Sequence, residues 1–333
     1  MLVSLLLCLS PTLAPSWPPQ EPAELEPERL EGLIEALAKA IEDRYVFADV
    51  GHAIAEKLRE RMFDGAYEGV TLEAMAARLT QDLRSVNNDK HLAVSVRPPR
   101  RAEAAPDPAN LEQQYRDDLR RRNNGFRKVE ILDGNIGYLE LTGFIPIEHG
   151  RETAAGAMAF LSNVDALIVD LRQNGGGDPS MIQFLSTYLL AEKTHLNSFE
   201  WRGQDGIEEF WTLDEVPGKR LVDVPVFVLT SSTTFSAAEE FTYNLKNLQR
   251  ATIVGQTTGG GAHPGGTHEI GGLLHVFIPQ GRAINPITKT NWEGTGIEPH
   301  VQVPAEQALD AARREAAKSI AERKARQGQP KQG

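Results

Sequence analysis

The sequence predicts an α/β protein, in which a layered core of strands and helices follows a small domain of helices. Two observations predict this. Apolar residues recur at helical spacing through residues 30–86, whereas from residue 136 onward short apolar runs alternate with helical segments. Strands that alternate with helices are typical of a layered sheet with substantial parallel pairing. We therefore expect two structural parts with different patterns in one chain.

The first part is a predicted helical domain over residues 30–97. Leu30, Leu33, Ile34, Leu37 and Ile41 form one helical stripe, and a second stripe follows through residues 54–62. A third helix is expected to open at residue 71, where a threonine stands in the capping position. Residues 91–96 alternate between apolar and polar side chains, which predicts a strand at the end of this domain.

The second part is the predicted core over residues 128–304. Strands are expected at residues 136–141, 166–171, 224–229 and 252–255, with helices after each of the first three. A charged, proline-containing connector over residues 98–127 precedes this core. Residues 305–333 are expected to form a C-terminal helix that ends in a disordered tail.

The composition excludes two classes of protein. The chain of 333 residues is 41% hydrophobic and can bury a substantial core, but its formal net charge is −11. Nucleic-acid binding needs a dominant basic surface, so no nucleic-acid partner is expected. No apolar run reaches the ~20 residues that cross a bilayer, so no stable membrane span is expected.

Residues 1–14 form a short apolar run that closes on a small residue, which is typical of a secretory signal peptide. The run departs from that pattern because no Lys or Arg stands at its front. One alternative is a misassigned start site or a frayed terminus. Another is a lipoprotein cleavage box at Cys8. Residues 15–29 are rich in Pro and Glu and are interpreted as a linker. The mature protein is expected to be periplasmic or extracellular and, without Cys8, to contain no thiol nucleophile.

Ser236 follows a buried strand and a polar turn, at the start of a predicted helix. A serine at such a turn is exposed at the sheet edge, and the unpaired N–H groups of the helix start point toward an oxyanion formed there. The alternative is a helix cap, in which Ser236 and Glu239 form a capping box.

Earlier in the chain, the strand that ends at Asp170 is followed by three glycines, Gly175 to Gly177. Such a loop offers backbone amides to a ligand, but a tight connection or a phosphate cradle remains an alternative.

Three segments together resemble the tail-specific, or C-terminal processing, serine peptidase family S41. They are Asp170-Leu-Arg-Gln-Asn-Gly-Gly-Gly177, Thr234-Phe-Ser-Ala-Ala-Glu-Glu-Phe241 and Val254-Gly-Gln-Thr-Thr-Gly-Gly-Gly261. Residues 44–47, 65–67 and 89–92 match the branch that contains the interphotoreceptor retinoid-binding protein and the tricorn core. The resemblance covers residues 30–303 and implies a ClpP/crotonase-like layered core. The connector is too short for the PDZ domain that processing peptidases carry, so recognition of a C-terminal carboxylate is not implied.

The resemblance implies a role for each site residue. Processing peptidases place a lysine base 25 residues after the nucleophile, and here that position is Gly261. The tricorn-like arrangement instead implies Ser236 as nucleophile, His91 as general base and Glu293 as the carboxylate that orients the histidine. Neutral imidazole accepts the serine proton, and the carboxylate fixes the tautomer. The implied oxyanion hole is the amide of Ala237 with that of Gly176 or Gly177.

The expected activity is that of a serine peptidase that acts on peptides or proteins through an acyl-enzyme, without a cofactor. A non-catalytic binding module for an apolar small ligand is the alternative that the retinoid-binding branch allows, and an esterase would use the same serine.

Four aromatic side chains are candidate ligand contacts, with core packing as the alternative for each: Trp201, Phe210, Trp211 and Trp292. No metal site is expected, because His263 and His268 lack a carboxylate partner at ligand spacing. Glu239 and Glu240 are interpreted as helix-dipole partners on a solvated face.

Overall fold

The structure is a computed structural model that describes residues 25–97 and 108–327. The predicted signal peptide at residues 1–14, with Cys8, lies outside the described residues, as do most of the linker, the start of the connector and the final six residues. Within the described ranges, no helix combines the length and the apolar character that a membrane span requires.

The helices of the described residues fall into two groups, one before and one within the core. They are α1 Pro27–Arg44, α2 Ala48–Phe63, α3 Leu72–Asn87, α4 Pro108–Arg121, α5 Ile147–Phe160, α6 Pro179–Leu189, α7 Ala237–Asn247 and α8 Ala308–Gln327. Thr71 caps α3 as expected, because its hydroxyl accepts a hydrogen bond from the amide of Ala74 at 3.2 Å.

The strands form three sheets. The strands of the described residues are β1 Ala93–Val96, β2 Phe126–Leu132, β3 Ile136–Leu141, β4 Ala166–Asp170, β5 His195–Trp201, β6 Glu208–Trp211, β7 Val226–Thr230, β8 Ala251–Gly255, β9 Gly265–Ile270, β10 Leu274–Pro279, β11 Gly281–Ile284 and β12 Val301–Gln302. The central sheet has the order β12-β8-β7-β4-β3-β2, and all of its pairs are parallel except β2 with β3. Two three-stranded sheets, β1-β10-β9 and β11-β5-β6, are antiparallel.

The central sheet is buried on both faces, as the continuous apolar runs of its strands predict. Leu167 and Val169 of β4 join the apolar cluster that contains α5, α6 and α7. Ile168, between them, joins the cluster formed with α8 on the opposite face. Successive side chains of a strand point to opposite faces, so β4 is covered on both sides. The predicted α/β class, with a layered, mainly parallel core after a helical region, is confirmed.

The N-terminal helices pack on the sheet β1-β10-β9. Their apolar cluster combines α1, α2 and α3 with Val94 of β1 and with Leu274, Val276 and Ile278 of β10. The strand that follows His91 therefore pairs with residues that come some 180 positions later, as Ser95 with His275. The pairing of β1 with β10 therefore holds His91, which lies between α3 and β1, against a late part of the chain.

One helix and several strands were not predicted from the sequence. Part of the connector forms α4, the central sheet gains β2 and β12, and the antiparallel sheets contain β5, β6, β9, β10 and β11. Both antiparallel sheets lie beside the carboxyl ends of the parallel strands, where they supply walls for the site described next.

Candidate active site

Ser236 stands between β7 and α7 with an unusual backbone conformation. Its φ is 54° and its ψ is −123°, values that L residues rarely adopt and that concentrate at functional sites. The turn directs Ser236 into a cavity of about 730 Å³, which also contains His91 and the glycine loop. The site thus begins with a half-buried serine at a helix N-terminus.

The carboxylate of Glu239 holds this turn in place. It accepts hydrogen bonds from the amide of Ser236 at 3.0 Å, the hydroxyl of Thr258 at 2.5 Å, and the amides of Gly260 and Gly261 at 2.6 and 2.8 Å. Burial raises the pKa of Glu239, and these hydrogen bonds oppose the rise. The interpretation of Glu239 and Glu240 as a solvated face is wrong, because their exposed fractions are 0% and 4%.

The glycine loop approaches Ser236 closely. A Cβ added at Gly176 would lie 2.8 Å from the Cβ of Ser236, so a larger residue would displace the serine. Both Gly176 and Gly177 have positive φ, of 117° and 141°. The amide of Gly176 donates to the side-chain oxygen of buried Asn174 at 2.9 Å. By contrast, no described residue accepts a hydrogen bond from the amide of Gly177 or of Ala237.

His91 lies in the same cavity, packed between two aromatic rings. Its ring centroid is 4.6 Å from that of Phe235 and 5.5 Å from that of Phe277. Burial lowers the pKa of His91 to about 4, although the charge of Asp89 opposes this effect. The ring is therefore neutral at physiological pH, and its buried Nδ1 makes no hydrogen bond to a described residue.

Glu293 lies close to the ring of His91. The ligand atoms offered by Asp89, His91 and Glu293 lie within 4.8 Å of one another. One oxygen of Glu293 accepts a hydrogen bond from the amide of Ala262 at 2.6 Å, whereas Oε1 is buried and has no partner among the described residues. Burial raises the pKa of Glu293 to about 7, and the charge of Asp89 adds to the rise. The sequence-predicted residues Ser236, His91, Glu293, Ala237, Gly176 and Gly177 thus lie in one region.

A buried polar network supports this region, and sequence reasoning missed most of it. Asp89 is 1% exposed and accepts hydrogen bonds from the hydroxyl of Tyr45 at 2.8 Å, from Nδ1 of His263 at 2.7 Å, and from the amide of His91 at 3.0 Å. Burial opposes the ionisation of Asp89, but the hydrogen bonds from His263 and Tyr45 hold its pKa below the ordinary value. Asp89 stands in the segment that carried the resemblance, whereas nothing near His263 in the sequence indicated a partner 174 residues away.

Several aromatic side chains contribute to the cavity wall. Of the four predicted ligand contacts, Trp201, Phe210 and Trp292 line the cavity. Trp211 instead stacks on His195, with ring centroids 4.6 Å apart, and is not part of the lining. The cavity therefore combines an apolar surface with the polar groups around Ser236, which is the usual composition of a substrate site.

The atoms of Asp89, His91 and Glu293 are close enough to surround a metal ion. Oδ2 of Asp89 already accepts hydrogen bonds from Tyr45 and His263, whereas Oδ1 accepts the amide of His91. His263, which lacked a carboxylate partner in the sequence, has Asp89 at 2.7 Å and Glu293 at 3.5 Å. The hydrogen bonds from Tyr45 and His263 account for the burial of Asp89 without a metal ion.

Comparison with known proteins agrees with this architecture. A family model described as peptidase family S41 matches residues 135–303, and a model described as the N-terminal domain of Peptidase_S41 in eukaryotic IRBP matches residues 27–127. The chain is similar to a putative peptidase from Parabacteroides merdae ATCC 43184, with 19% identity, a TM-score of 0.59, and coverage of 87% of this chain and 96% of that one.

Two further solved structures share the fold. A lipoprotein from Streptococcus agalactiae is 16% identical, with a TM-score of 0.55 and coverage of 91% of this chain and 98% of that one. The photosystem II D1 C-terminal processing protease is 18% identical, with a TM-score of 0.52 and coverage of 85% and 94%. The S41 model spans about half of the 333 residues and contains Ser236, the glycine loop and Glu293. This chain therefore belongs to peptidase family S41.

Proposed function

We propose that this protein is a serine peptidase in which Ser236 is the nucleophile, His91 the general base and Glu293 the carboxylate that orients the histidine. One observation carries the proposal. Ser236 has a positive φ at the N-terminus of α7 and faces a cavity that it shares with a neutral, half-buried histidine. A helix cap needs neither the rare backbone conformation nor the neighbouring histidine.

Acylation begins when Nε2 of His91 takes the hydroxyl proton of Ser236. The Oγ atom attacks the peptide carbonyl carbon, a C–O bond forms, and the carbonyl π electrons move to oxygen. In this proposal the amides of Ala237 and Gly177, which have no acceptor among the described residues, stabilise the oxyanion. The imidazolium then gives its proton to the leaving amine as the C–N bond breaks, which leaves an acyl group on Ser236.

Deacylation repeats these steps with water. His91 takes a proton from water, the hydroxide oxygen attacks the ester carbon, and the proton returns to Oγ as the acid product leaves. Ionised Glu293, which lies close to the ring of His91, would accept a hydrogen bond from protonated Nδ1 and stabilise the imidazolium. Gly177 is the preferred second donor of the oxyanion hole, because the amide of Gly176 is already bonded to Asn174.

Labelling with a fluorophosphonate probe tests the nucleophile. Folded wild-type protein is expected to form an adduct that mass spectrometry locates at Ser236, and Ser236→Ala is expected to abolish it. Ser232→Ala, at an exposed serine four residues earlier, serves as a matched control and should label like the wild type. Absence of an adduct on Ser236, while a reference serine hydrolase labels in the same tube, would contradict the proposal.

Hydrolysis of a peptide panel separates the two functions that the sequence left open. A peptidase is expected to cleave some members, and Ser236→Ala is expected to lose this activity. If the wild type neither labels nor cleaves, and both proteins bind an apolar ligand with equal affinity, the protein is a binding module. The aromatic wall formed by Trp201, Phe210 and Trp292 is compatible with either ligand class.

Export and the domain division are part of this proposal. Expression of the full chain in a secreting host, followed by N-terminal sequencing, should give a mature protein that begins near residue 15. Retention of residues 1–14 in a cytoplasmic protein would contradict export. Limited proteolysis is expected to cut the connector, residues 98–127, before it cuts the units 30–97 or 128–304.

A further inference from the structure

Glu240 is a buried carboxyl group for which the peptidase mechanism has no use. It lies on α7, four residues after Ser236, is 4% exposed and lines the same cavity. The Asn197 side-chain amide lies next to it, and neither polar atom of that amide makes a well-formed hydrogen bond. No Lys, Arg or His of the described residues forms a salt bridge with Glu240. Buried carboxylates are normally paired with a cation. The described residues supply no such cation to Glu240, so a bound ligand could supply it.

Other acids reinforce the negative character of this cavity. Asp178 lines the cavity and lies close enough for its charge to act on Glu240. Glu208 also lines it and accepts a hydrogen bond from the indole of Trp201 at 2.8 Å. The basic residues of the lining are His91, which is neutral, and Lys90, which donates to the carbonyl of Gly259. Neither neutralises Glu240.

The neighbouring walls suit a cation with an aliphatic stem. Phe199 and Phe210 pack with ring centroids 4.7 Å apart, and Trp292 completes the apolar surface. Aromatic faces attract ammonium and guanidinium groups, and the carbon chain of a lysine or arginine packs on apolar surface. An unpaired carboxyl at the end of such walls selects a positive charge over an apolar group of the same shape.

We propose that Glu240, assisted by Asp178, determines the specificity of the cavity by binding a cationic group of the peptide substrate, an inference that rests on the proposed function. The cation has two sources in a peptide. It is either the side chain of a lysine or arginine next to the scissile carbonyl, or the free α-amino group of a short peptide. Either one supplies the charge that the buried carboxyl lacks.

The pH dependence gives an independent signature. Burial raises the pKa of Glu240 to about 8, and the charge of Asp178 adds to the rise. A cation binds the ionised form, so the preference for lysine, which stays charged, is expected to grow from about pH 6 to about pH 9. A free α-amino group loses its own proton near about pH 8, so the preference for it is expected to be greatest near about pH 8. His91 stays neutral over this range. Because the charges of Lys90, Asp178 and Glu208 also distinguish a cationic from a neutral peptide, the change with pH is assigned to Glu240 by its loss in Glu240→Gln.

Binding to Ser236→Ala protein tests the inference without requiring turnover. Calorimetry would compare N-acetylated peptides that contain lysine or norleucine at one position, and alanine peptides with a free or acetylated amino terminus. The lysine peptide or the free-amine peptide should bind about 10- to 100-fold more tightly than its neutral match. Adding Glu240→Gln should bring this ratio near one. Glu148→Gln, at an exposed glutamate in the first turn of α5, should leave it unchanged.

The outcomes separate the two claims. Equal binding of the lysine pair at about pH 9, together with equal binding of the free-amine pair at about pH 8, would overturn the inference, whatever the activity. Discrimination in a protein that never labels at Ser236 would uphold the inference and overturn the peptidase proposal. Discrimination by the lysine pair alone identifies a side-chain site, and discrimination by the free-amine pair alone identifies an amino-terminal site. If Glu240→Gln fails to fold by circular dichroism, Asp178→Asn, which keeps an oxygen for capping α6, should still reduce the ratio.

Discussion

Gly261 lies directly against His91. A Cβ added at Gly261 would sit 2.7 Å from Cε1 of the histidine and would also overlap the ring of Phe235. Gly261 is the position at which the processing branch is expected to carry its lysine base. Histidine and a side chain at residue 261 therefore compete for the same space, and this protein fills that space with the histidine.

Gly261→Ala is expected to displace His91 and Phe235. Overpacking of this kind costs about 1–3 kcal/mol of unfolding free energy, and a base misplaced by about 1 Å costs about 100-fold in kcat/KM. Urea unfolding and peptide hydrolysis measure both effects. Gly156→Ala in α5, where an added Cβ meets nothing within 4 Å, is the matched control and should lose neither. A Gly261→Lys variant that is more active than Gly261→Ala would contradict the assignment of His91 as base.

The pH–rate profile should report Glu293. Its pKa is raised to about 7 by burial, so the carboxylate that stabilises imidazolium forms only as the pH rises through that value. We expect kcat/KM to rise through about pH 7, and Glu293→Gln to lose this limb with about 10²- to 10⁴-fold lower activity. Glu298→Gln, five residues later and exposed, should keep the wild-type profile. An unchanged limb in Glu293→Gln would assign that ionisation to another group.

Ionisation of Glu293 should raise activity but lower the stability of the fold. A carboxyl whose pKa is raised to about 7 in the folded state stabilises the protein below its ordinary pKa of 4.5, and this contribution is lost as the pH rises through 7. Relative to the wild type, Glu293→Gln should therefore be more stable at about pH 8 than at about pH 5. The difference is up to about 3 kcal/mol, measured by urea unfolding at both pH values. A difference of the reverse sign would mean that Glu293 is ionised by a strong partner.

Glu239 should be indispensable for the shape of the serine turn. Its carboxylate accepts four hydrogen bonds, including the amides of Ser236 and Gly261, and a Gln side chain offers only one oxygen to the same donors. Each buried donor left unpaired costs about 1–3 kcal/mol. Glu239→Gln should therefore lower the unfolding free energy and slow fluorophosphonate labelling of Ser236. Labelling at the wild-type rate would show that the turn holds its conformation without Glu239.

Chelation tests the interpretation of the cluster of Asp89, His91 and Glu293. Asp89 already accepts hydrogen bonds from Tyr45 and His263 through one oxygen and from the amide of His91 through the other. We expect prolonged dialysis against a chelator to leave peptide hydrolysis unchanged. Loss of activity that added Zn²⁺ restores would replace the hydrogen-bonded network with a metal centre.

The sequence indicated the parts of the fold in which one pattern dominates. The strand 166–170 is apolar at nearly every position because helices cover both of its faces, and this made it recognisable. β6 and β9 are half-exposed and contain polar residues, so no comparable run marked them. α4 was missed because its residues are charged and follow prolines, a composition that predicts a connector.

Only the site residues that lie within short recognisable motifs could be predicted from the sequence. Ser236 and the glycine loop stand in segments whose order and spacing are typical of the family. The partners of Asp89, in contrast, come from residues 45 and 263, which no local pattern connects. The burial of Glu240 was hidden for a similar reason, because two successive glutamates at a helix start usually face solvent. Tertiary packing decides these positions, and sequence spacing does not report it.

The separation of the serine from its histidine has a further consequence. His91 directly precedes β1, which belongs to the sheet that packs on the N-terminal helices, whereas Ser236 follows a strand of the central sheet. A fragment that begins at residue 128 would thus keep the nucleophile and the oxyanion donors but lack any proton acceptor at Ser236. Mixing such a fragment with one that spans residues 25–97 offers a way to restore activity by reassembly. If His91 is the base, as proposed, any process that detaches the N-terminal helices from the core would remove the base from Ser236 and stop the reaction.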